Sequence, residues 1–180
     1  KLHWEYDFDS GVRYRAYNWK NEVIGEWNVF SLGGGSIKVV EEDFDFQRTV
    51  YPFKSMKEIL AYCEEKSLSI PMLVKEFEPD IDNHMVGVLA NMLKAVDRGL
   101  NTTGILPGKL MMPRVAKSLN LSAERMDDPG EIDRMRLVSY AYANNEENAS
   151  CGMVVTAPTL GASGIMASIM YHYYHNIGVS

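Results

Sequence analysis

The stretch NEENASCGMVVTAPTLGASG, residues 145–164, decides how the second half of the chain folds. It places a polar helix end before two β-branched residues, Val154 and Val155, and then a Pro-Thr-x-Gly-x-x-Gly loop that begins at Pro158. An apolar helix follows directly. The first N–H groups of a helix have no intrahelical acceptor, and the helix dipole favours negative charge there. The stretch therefore predicts a loop that presents N–H groups and small hydroxyls to an anion.

A carboxylate or a phosphate is the ligand that this loop would suit. The alternative is an ordinary loop in which Thr159 or Ser163 caps the next helix. Small residues leave the loop open, and its proline lacks an N–H donor. The predicted substrate-binding residues of the loop are Thr156, Pro158, Thr159, Gly161 and Gly164.

The polar helix end before the loop is the second candidate. Carboxylates at a helix C-terminus interact unfavourably with the helix dipole and lower the stability of that helix end. Residues that reduce stability locally in this way are typical of functional sites. A solvated helix end is the alternative. Asn145, Glu146 and Asn148 are therefore also predicted to bind substrate.

Three consecutive glycines, Gly33, Gly34 and Gly35, follow a predicted strand. Glycine permits positive φ and close approach of another group. A bound anion and a bend against neighbouring backbone both explain them, so they are included as candidate substrate-binding residues. Their spacing is not that of a dinucleotide-binding fingerprint.

Metal-ligating residue types are few. The chain has two cysteines, which form no disulfide framework and fit the reducing cytoplasm. Cys63 lies on an apolar helix face and is predicted to be core, whereas Cys151 is either a metal ligand or a buried small residue. His172 and His175 have a spacing that could hold a metal, but the tyrosines around them favour an aromatic seam.

Apolar periodicity predicts the fold class, α+β, with an N-terminal antiparallel β meander followed by an all-helical domain. Residues 1–40 alternate as strands and form the end of a β domain. Residues 41–54 read as a linker, and helical spacing dominates residues 55–180. Helix starts are predicted at Ser55, Ser69, Asp80 or Asp82, near Val115, after Asp128 and near Ala162. Gly99 and the run 101–104 are predicted to stop the third helix, and the fifth is predicted to run through Asn144, with residues 145–148 as its polar end.

Composition excludes several partners. The chain has 180 residues, 46% of them hydrophobic, and a formal net charge of -6. Without a basic cluster, nucleic acid is not expected as a partner. The most apolar region is interrupted by Pro158, Gly161 and Gly164, so a membrane helix is not expected either.

Several short motifs occur in an order that resembles one family. They are FSLGGGSI at 30–37, YPFKS at 51–55, LAYC at 60–63, RGLNT at 98–102, LPG at 106–108, PR at 113–114, NEENA at 145–149 and VVTAPT at 154–159. Together they span essentially the whole chain. The sequence resembles the iron–sulfur-dependent bacterial L-serine dehydratases, also called L-serine ammonia-lyases.

The resemblance implies a carbon–oxygen lyase of amino-acid degradation and gluconeogenesis that converts L-serine to pyruvate and ammonia. It implies no pyridoxal phosphate. It also implies that residues 1–40 are the C-terminal part of a β domain and residues 55–180 the N-terminal part of a helical catalytic domain. It implies a [4Fe–4S] cluster held by three cysteines, with an open iron acting as Lewis acid on the substrate hydroxyl. L-serine or a similar amino acid is the implied partner, and a homo-oligomer is one expectation for assembly.

The chain departs from the family pattern at two residues of the loop. Ser163 stands at a cluster-ligand position where the family has cysteine, which leaves Cys151 as the other candidate metal ligand, and Leu160 replaces an asparagine. A Ser-Ser-Ser-His-Thr segment and later cysteines of the family are absent. We therefore expect an incomplete piece that is inactive alone. A lyase for cysteine or threonine and a non-catalytic module for anion binding or assembly are the alternatives.

Overall fold

A computed structural model describes residues 8, 10–33, 36–40, 42, 50–155 and 159–178. The chain forms two compact units, Lys1–Pro52 and Phe53–Ser180. The division falls inside the predicted linker. The assignment of these parts to a β domain and a catalytic domain stays a prediction.

The first unit contains a three-stranded antiparallel sheet in the order β1-β2-β3. The strands are β1 (Gly11–Tyr17), β2 (Val23–Gly33) and β3 (Ser36–Val39). The β1–β2 turn contains Asn21 at a φ of 62°, and the side chain of Asn18 accepts backbone N–H groups across it. Phe30 is fully buried within this unit. The meander is confirmed for these strands, while the predicted strand at residues 2–8 lies almost entirely outside the described residues.

The named elements of the second unit, within its described part, are helices. Its helices are α1 (Met56–Lys66), α2 (Ile70–Phe77), α3 (Ile81–Asn101), α4 (Ala116–Ala123), α5 (Pro129–Ala149) and α6 (Leu160–His172), followed by a π-helical turn, Tyr173–Ile177. The predicted α+β class is confirmed. No helix in the described ranges combines the length and the apolarity that crossing a membrane requires.

Two predicted helix starts follow from capping side chains. Ser55 accepts the N–H of Glu58 and the Glu58 carboxylate accepts the N–H of Lys54, which is a reciprocal capping box. The Lys54 N–H and then the Ser55 hydroxyl lower the pKa of Glu58. Asp128 accepts the N–H of Glu131 at 2.8 Å and starts α5 in the same way.

The predicted ends of α3 and α5 are correct in part. Helix α3 ends at Asn101, the first residue of the predicted stop run 101–104, but it continues through Gly99 because this glycine is a packing residue: a Cβ added there would overlap the backbone of Ala143 in α5. Helix α5 continues past Asn144 and includes the polar residues 145–148 up to Ala149, because groups from other elements hydrogen-bond the two carboxylates of its last turn. Both differences come from contacts between residues far apart in sequence.

Helix α5 lies at the centre of the unit, against α3, α4 and α6. The core cluster combines small and aromatic side chains: Val96, Ala116, Tyr140, Ala143, Ala167 and Tyr171. The ring of Tyr171 lies 4.6 Å from Tyr140 and 4.3 Å from His175, which agrees with the predicted aromatic seam. Cys63 is buried, as predicted.

Candidate functional site

The polar end of α5 is buried, so its interpretation as a solvated helix end is wrong. Glu146 is 3% exposed and Glu147 is 6% exposed. Burial of a carboxylate is costly unless other groups compensate its charge and satisfy its lone pairs. The compensating groups come from α3, α4 and the segment between them, which were not predicted to lie here.

Glu147 is held by two arginines. Its carboxylate accepts Nε of Arg98 at 2.8 Å and Nη1 of Arg114 at 3.1 Å. The Arg114 side chain is itself only 7% exposed. The same guanidinium groups reach the segment after α5: Arg114 Nη2 donates to Ser150 Oγ at 2.6 Å, and Arg98 Nη2 donates to the Met153 carbonyl at 2.5 Å. This ion-pair cluster therefore fixes the segment 150–153 that leads into the candidate loop.

Gly152 completes the ion-pair cluster by allowing close approach. A Cβ at this position would lie 2.8 Å from Glu147 Oε2. The N–H of Gly152 also donates to the Glu147 carbonyl at 2.8 Å. Cys151 beside it has a φ of 59° and is exposed, so the expectation that it is a buried small residue is wrong.

Glu146 faces the beginning of α4. Its Oε1 accepts the backbone N–H of Val115 at 2.6 Å and that of Ala116 at 3.1 Å. A carboxylate at a helix N-terminus is favoured by the helix dipole. The apparent cost of an acid at the C-terminus of α5 is thus offset by its position at the N-terminus of α4. The second oxygen, Oε2, is buried and has no hydrogen-bond partner among the described residues.

The first turn of α6 packs against α5 through Ser163 and Gly164. Ser163 Oγ donates to the Val155 carbonyl at 2.6 Å and accepts Nδ2 of Asn144 at 3.2 Å. A Cβ on Gly164 would lie 2.6 Å from Asn145 Oδ1. These contacts fix the start of α6 directly against the end of α5. Within the described part of the chain, Oδ1 of Asn144 and Oδ1 of Asn145 are buried without a partner.

Thr159 is the N-cap of α6, in agreement with the prediction that Thr159 or Ser163 caps this helix. Its Oγ1 accepts the N–H of Ala162 at 3.1 Å, and its carbonyl accepts the N–H of Ser163 at 3.1 Å. The first two helical residues, Leu160 and Gly161, retain N–H groups that have no acceptor inside the helix. Among the described residues, a Cβ on Gly161 would meet only Thr159 Oγ1, at 4.0 Å.

The structure places Asn145 against Gly164 where α5 packs on α6, with Thr159 and Gly161 in the first turn of α6. Glu146 instead faces the start of α4. Asn148 is exposed on the last turn of α5. Gly33 ends β2 in the other unit, and Gly34, Gly35, Thr156 and Pro158 lie outside the described residues. The substrate-binding roles of all these residues stay predictions.

Sequence reasoning missed three buried side chains of the site, those of Asn144, Glu147 and Arg114, and the half-exposed Arg98 that pairs with Glu147. Two of the motifs, RGLNT and PR, contain the arginines. Two adjacent acids at a helix end, with arginines elsewhere in the same domain, are the signal that could have indicated a buried ion pair.

The residues present do not fit the iron–sulfur cluster that the resemblance implies. That cluster needs three thiolates, and the chain has two cysteines, one buried in α1 and one exposed after α5. The hydroxyl of Ser163 is engaged in two hydrogen bonds within the protein. Serine is also a poorer iron ligand than thiolate. Across the described ranges, no group of three histidine, cysteine, aspartate or glutamate residues is placed to hold a metal ion.

A buried tyrosine joins α3 to α6 near the site. Tyr171 Oη donates to Asp97 Oδ1 at 2.6 Å. Burial and the hydrogen bond to Asp97 both raise the pKa of Tyr171 above its ordinary value. The phenol therefore remains a proton donor in this pair well into the alkaline range.

Comparison with known proteins decides the family. A family profile described as "Serine dehydratase alpha chain" matches residues 21–180. The chain belongs to the serine dehydratase alpha chain family. "L-serine dehydratase 1" of Escherichia coli (strain K12) is 40% identical over 185 residues, which cover 94% of this chain and 40% of that protein. "L-serine dehydratase" of Helicobacter pylori (strain ATCC 700392 / 26695) is 36% identical over 183 residues, which cover 91% of this chain and 40% of that protein.

A third relative is similar over nearly the same share of the chain. "L-serine dehydratase" of Streptomyces coelicolor (strain ATCC BAA-471 / A3(2) / M145) is 35% identical over 181 residues, covering 93% of this chain and 39% of the relative. The chain thus spans about two fifths of the length of these relatives. The buried ion-pair cluster and the α5–α6 junction both lie inside the matched region.

Proposed function

We propose that this serine dehydratase alpha chain is part of an L-serine ammonia-lyase, which in its complete form converts L-serine to pyruvate and ammonia. The observation that carries the proposal is the family match over residues 21–180. Relatives named L-serine dehydratase support the substrate. Because the chain spans about 40% of their length, the activity is proposed for the complete protein.

The reaction removes a proton from Cα of serine and hydroxide from Cβ. The aminoacrylate that forms then tautomerises to an imine, whose hydrolysis gives pyruvate and ammonia. Serine must be held by its carboxylate and ammonium groups while these bonds change, since orientation supplies a large part of such a barrier reduction.

The contribution of this chain would be to bind and orient the substrate. The N–H groups of Leu160 and Gly161 at the start of α6 are suited to the serine carboxylate. Thr159, Gly164 and Asn145 would shape the same junction. The ion-pair cluster of Glu147 with Arg98 and Arg114 would hold the preceding segment in place, because the two arginines contact Met153 and Ser150.

The remaining predicted properties belong to the same proposal. The other substrate-binding candidates are Glu146, Asn148, Thr156, Pro158 and the Gly33–Gly35 triplet. A [4Fe–4S] cluster in the complete enzyme would need thiolate ligands from residues other than those described here. We further propose a cytoplasmic location, a role in amino-acid degradation and gluconeogenesis, a reaction without pyridoxal phosphate, and a homo-oligomer.

Anaerobic reconstitution with iron and sulfide, followed by a pyruvate assay, tests this function. The complete protein is expected to release pyruvate from L-serine, and the 180-residue chain alone is expected to release none. Turnover by the isolated chain would refute its assignment as an incomplete piece. Absence of pyruvate from a reconstituted complete protein with an intact iron–sulfur absorbance band would refute the activity.

A non-catalytic module that binds an amino acid is the second candidate. Ser163 favours it, because this position carries a hydroxyl that is engaged in two hydrogen bonds within the protein, and not a thiolate that could bind a cluster. It predicts saturable binding of L-serine by the complete protein without iron–sulfur absorbance and without pyruvate.

A further inference from the structure

Helix α6 is apolar on two opposite faces. One face, with Ala167 and Tyr171, belongs to the core of the unit. The other face is exposed, has the spacing of a single helical stripe, and consists of Ala162, Ile165, Met166 and Ile169, continued by Tyr173 just beyond the helix. No aspartate, glutamate, lysine or arginine occurs in the sequence after Glu147. A helix that is apolar all round is typical of a protein core, so the exposed face indicates a missing partner.

A groove of about 650 Å³ lies between α6 and α3. Met166 and Met170 line it from α6. The α3 side is apolar apart from one acid and consists of Asp82, Met85, Val86, Val88, Leu89 and Met92. The carboxylate of Asp82 forms an ion pair with Lys75 at 2.7 Å. The groove therefore suits an apolar partner and not an ion.

A methionine on a solvent-facing helix of the same unit shows how this face differs from ordinary surface. Met72 on α2 is 56% exposed, close to the 51% of Met166. The neighbours of Met72 at i+3 and i+4 are Lys75 and Glu76, which carry charge. The neighbours of Met166 at the same spacings are Ile169 and Met170, which are apolar. A contiguous exposed apolar surface of the second kind marks an interaction site.

A third helix has the shape that fits a groove between two helices. Amphipathic helices bind such grooves through apolar residues at positions i, i+3, i+4 and i+7. Four residues of the groove are methionines: Met85, Met92, Met166 and Met170. Their unbranched, flexible side chains can adapt to the surface of a partner helix.

The length of the relatives indicates where this helix comes from. The chain covers 40% of the length of two of them, so about three fifths of such a protein lies outside residues 1–180. A segment of the same polypeptide binds at a high effective concentration, which a separate molecule lacks. We propose that an amphipathic helix from the remainder of the complete protein lies in the groove between α3 and α6. The inference rests on the proposed function only in treating the chain as part of a longer protein.

Oxidative footprinting of the complete protein tests whether the groove is covered. A short pulse of hydroxyl radicals converts exposed methionines to sulfoxides, which peptide mass spectrometry counts. In the chain itself Met85, Met166 and Met72 are 52%, 51% and 56% exposed, so an open groove would give them about equal rates. In the complete protein Met85 and Met166 are expected to be oxidised at least about tenfold more slowly than Met72, because susceptibility follows exposure.

Photochemical cross-linking identifies the partner. Benzoylphenylalanine is incorporated at position 166 of the complete protein, and isotopically labelled and unlabelled copies are mixed before irradiation. The expected product is a cross-link within one molecule, from position 166 to an amphipathic segment outside residues 1–180. The same probe at position 72 is the matched control and is not expected to reach that segment.

Equal oxidation of Met166 and Met72 would overturn the inference. Cross-links between labelled and unlabelled molecules, or protection that is lost when the protein is diluted to a monomer, would also overturn it, because a second copy would then fill the groove. Pyruvate formation combined with an open groove would overturn this inference alone. The expected cross-link in a protein that makes no pyruvate would overturn the proposed reaction and leave the docked helix standing.

Discussion

Glu147→Gln is the substitution that most directly tests the buried ion-pair cluster. Glutamine keeps the shape of the side chain and one acceptor oxygen but removes the negative charge. Arg114, whose side chain is 7% exposed, would then keep Ser150 as a partner without a carboxylate to balance its charge. The guanidinium would remain buried because its contacts are fixed by α5 and the adjoining segment.

The magnitude follows from burial. Breaking a buried pair by removing one partner costs about 3–5 kcal/mol. The side chain of Arg98 is 40% exposed and can be solvated, so loss of its ion pair with Glu147 adds little to the destabilisation. We therefore expect Glu147→Gln to lower the free energy of unfolding by about 3 kcal/mol, the lower end of that range. This corresponds to an increase of about 100-fold in the unfolding equilibrium constant.

Urea denaturation followed by helical circular dichroism provides the measurement. With an m-value of about 2 kcal/mol/M, the midpoint should fall by about 1.5 M. The matched control is Asp82→Asn, which breaks the exposed pair between Lys75 and Asp82. Exposed pairs contribute about 0–1 kcal/mol, so its midpoint should move by less than about 0.5 M.

The reasoning is refuted if Glu147→Gln changes stability by no more than Asp82→Asn does. It is also refuted if the m-value falls while the midpoint is unchanged. The variant would then have altered the compactness of the unfolded or the folded state and not the balance between them that the lost ion pair should shift.

Three further predictions concern the same helical unit. Gly99→Ala should destabilise the protein by at least about 3 kcal/mol, because its Cβ would overlap the backbone of α5. Gly87→Ala is the matched control: no described atom lies within 4 Å of the added Cβ, so it should stabilise the protein by about 0.5–1 kcal/mol. Equal urea midpoints for the two variants would contradict this prediction. Tyr171→Phe should cost about 0.5–1.5 kcal/mol, the net contribution of its hydrogen bond to Asp97, because Asp97 is exposed and water can replace the lost donor. Because the folded protein retains the Tyr171 proton above about pH 10, where an unfolded tyrosine loses it, wild-type stability should fall as pH rises past that value. Urea midpoints across this range should fall less steeply in Tyr171→Phe, and parallel curves would rule out this residue as the cause. Ser163→Ala should cost about 1–2 kcal/mol, because the Val155 carbonyl and the Asn144 amide each lose a partner; a urea midpoint equal to that of the wild type would show that neither hydrogen bond stabilises the fold.

Local sequence patterns predicted the features that depend on local physics. The capping box at Ser55 and Glu58 and the Asp128 cap of α5 are set by residues within one helical turn. The alternation in β1 and β2 similarly follows from side chains that point to opposite faces of the sheet. The order of strands and helices could therefore be predicted from sequence.

Features that depend on long-range contacts could not be predicted in this way. Gly99 has the sequence context of a helix stop, but its close approach to Ala143 depends on how α3 crosses α5. The burial of Glu147 depends on Arg98 and Arg114, which lie 49 and 33 residues earlier in the chain. The candidate site was located by its motif, while the groups that hold it were found only in the structure.

The relative kcat/KM of the complete, anaerobically reconstituted protein for L-serine, L-threonine and L-cysteine tests the central claim most directly. The account predicts pyruvate from L-serine with a kcat/KM at least about tenfold above the kcat/KM for L-threonine, since an extra methyl group in a fitted site is discriminated by about 10–200-fold. It also predicts that L-cysteine is a poorer substrate than L-serine. A complete protein that prefers L-threonine or L-cysteine, or that releases no pyruvate from L-serine, would contradict the account.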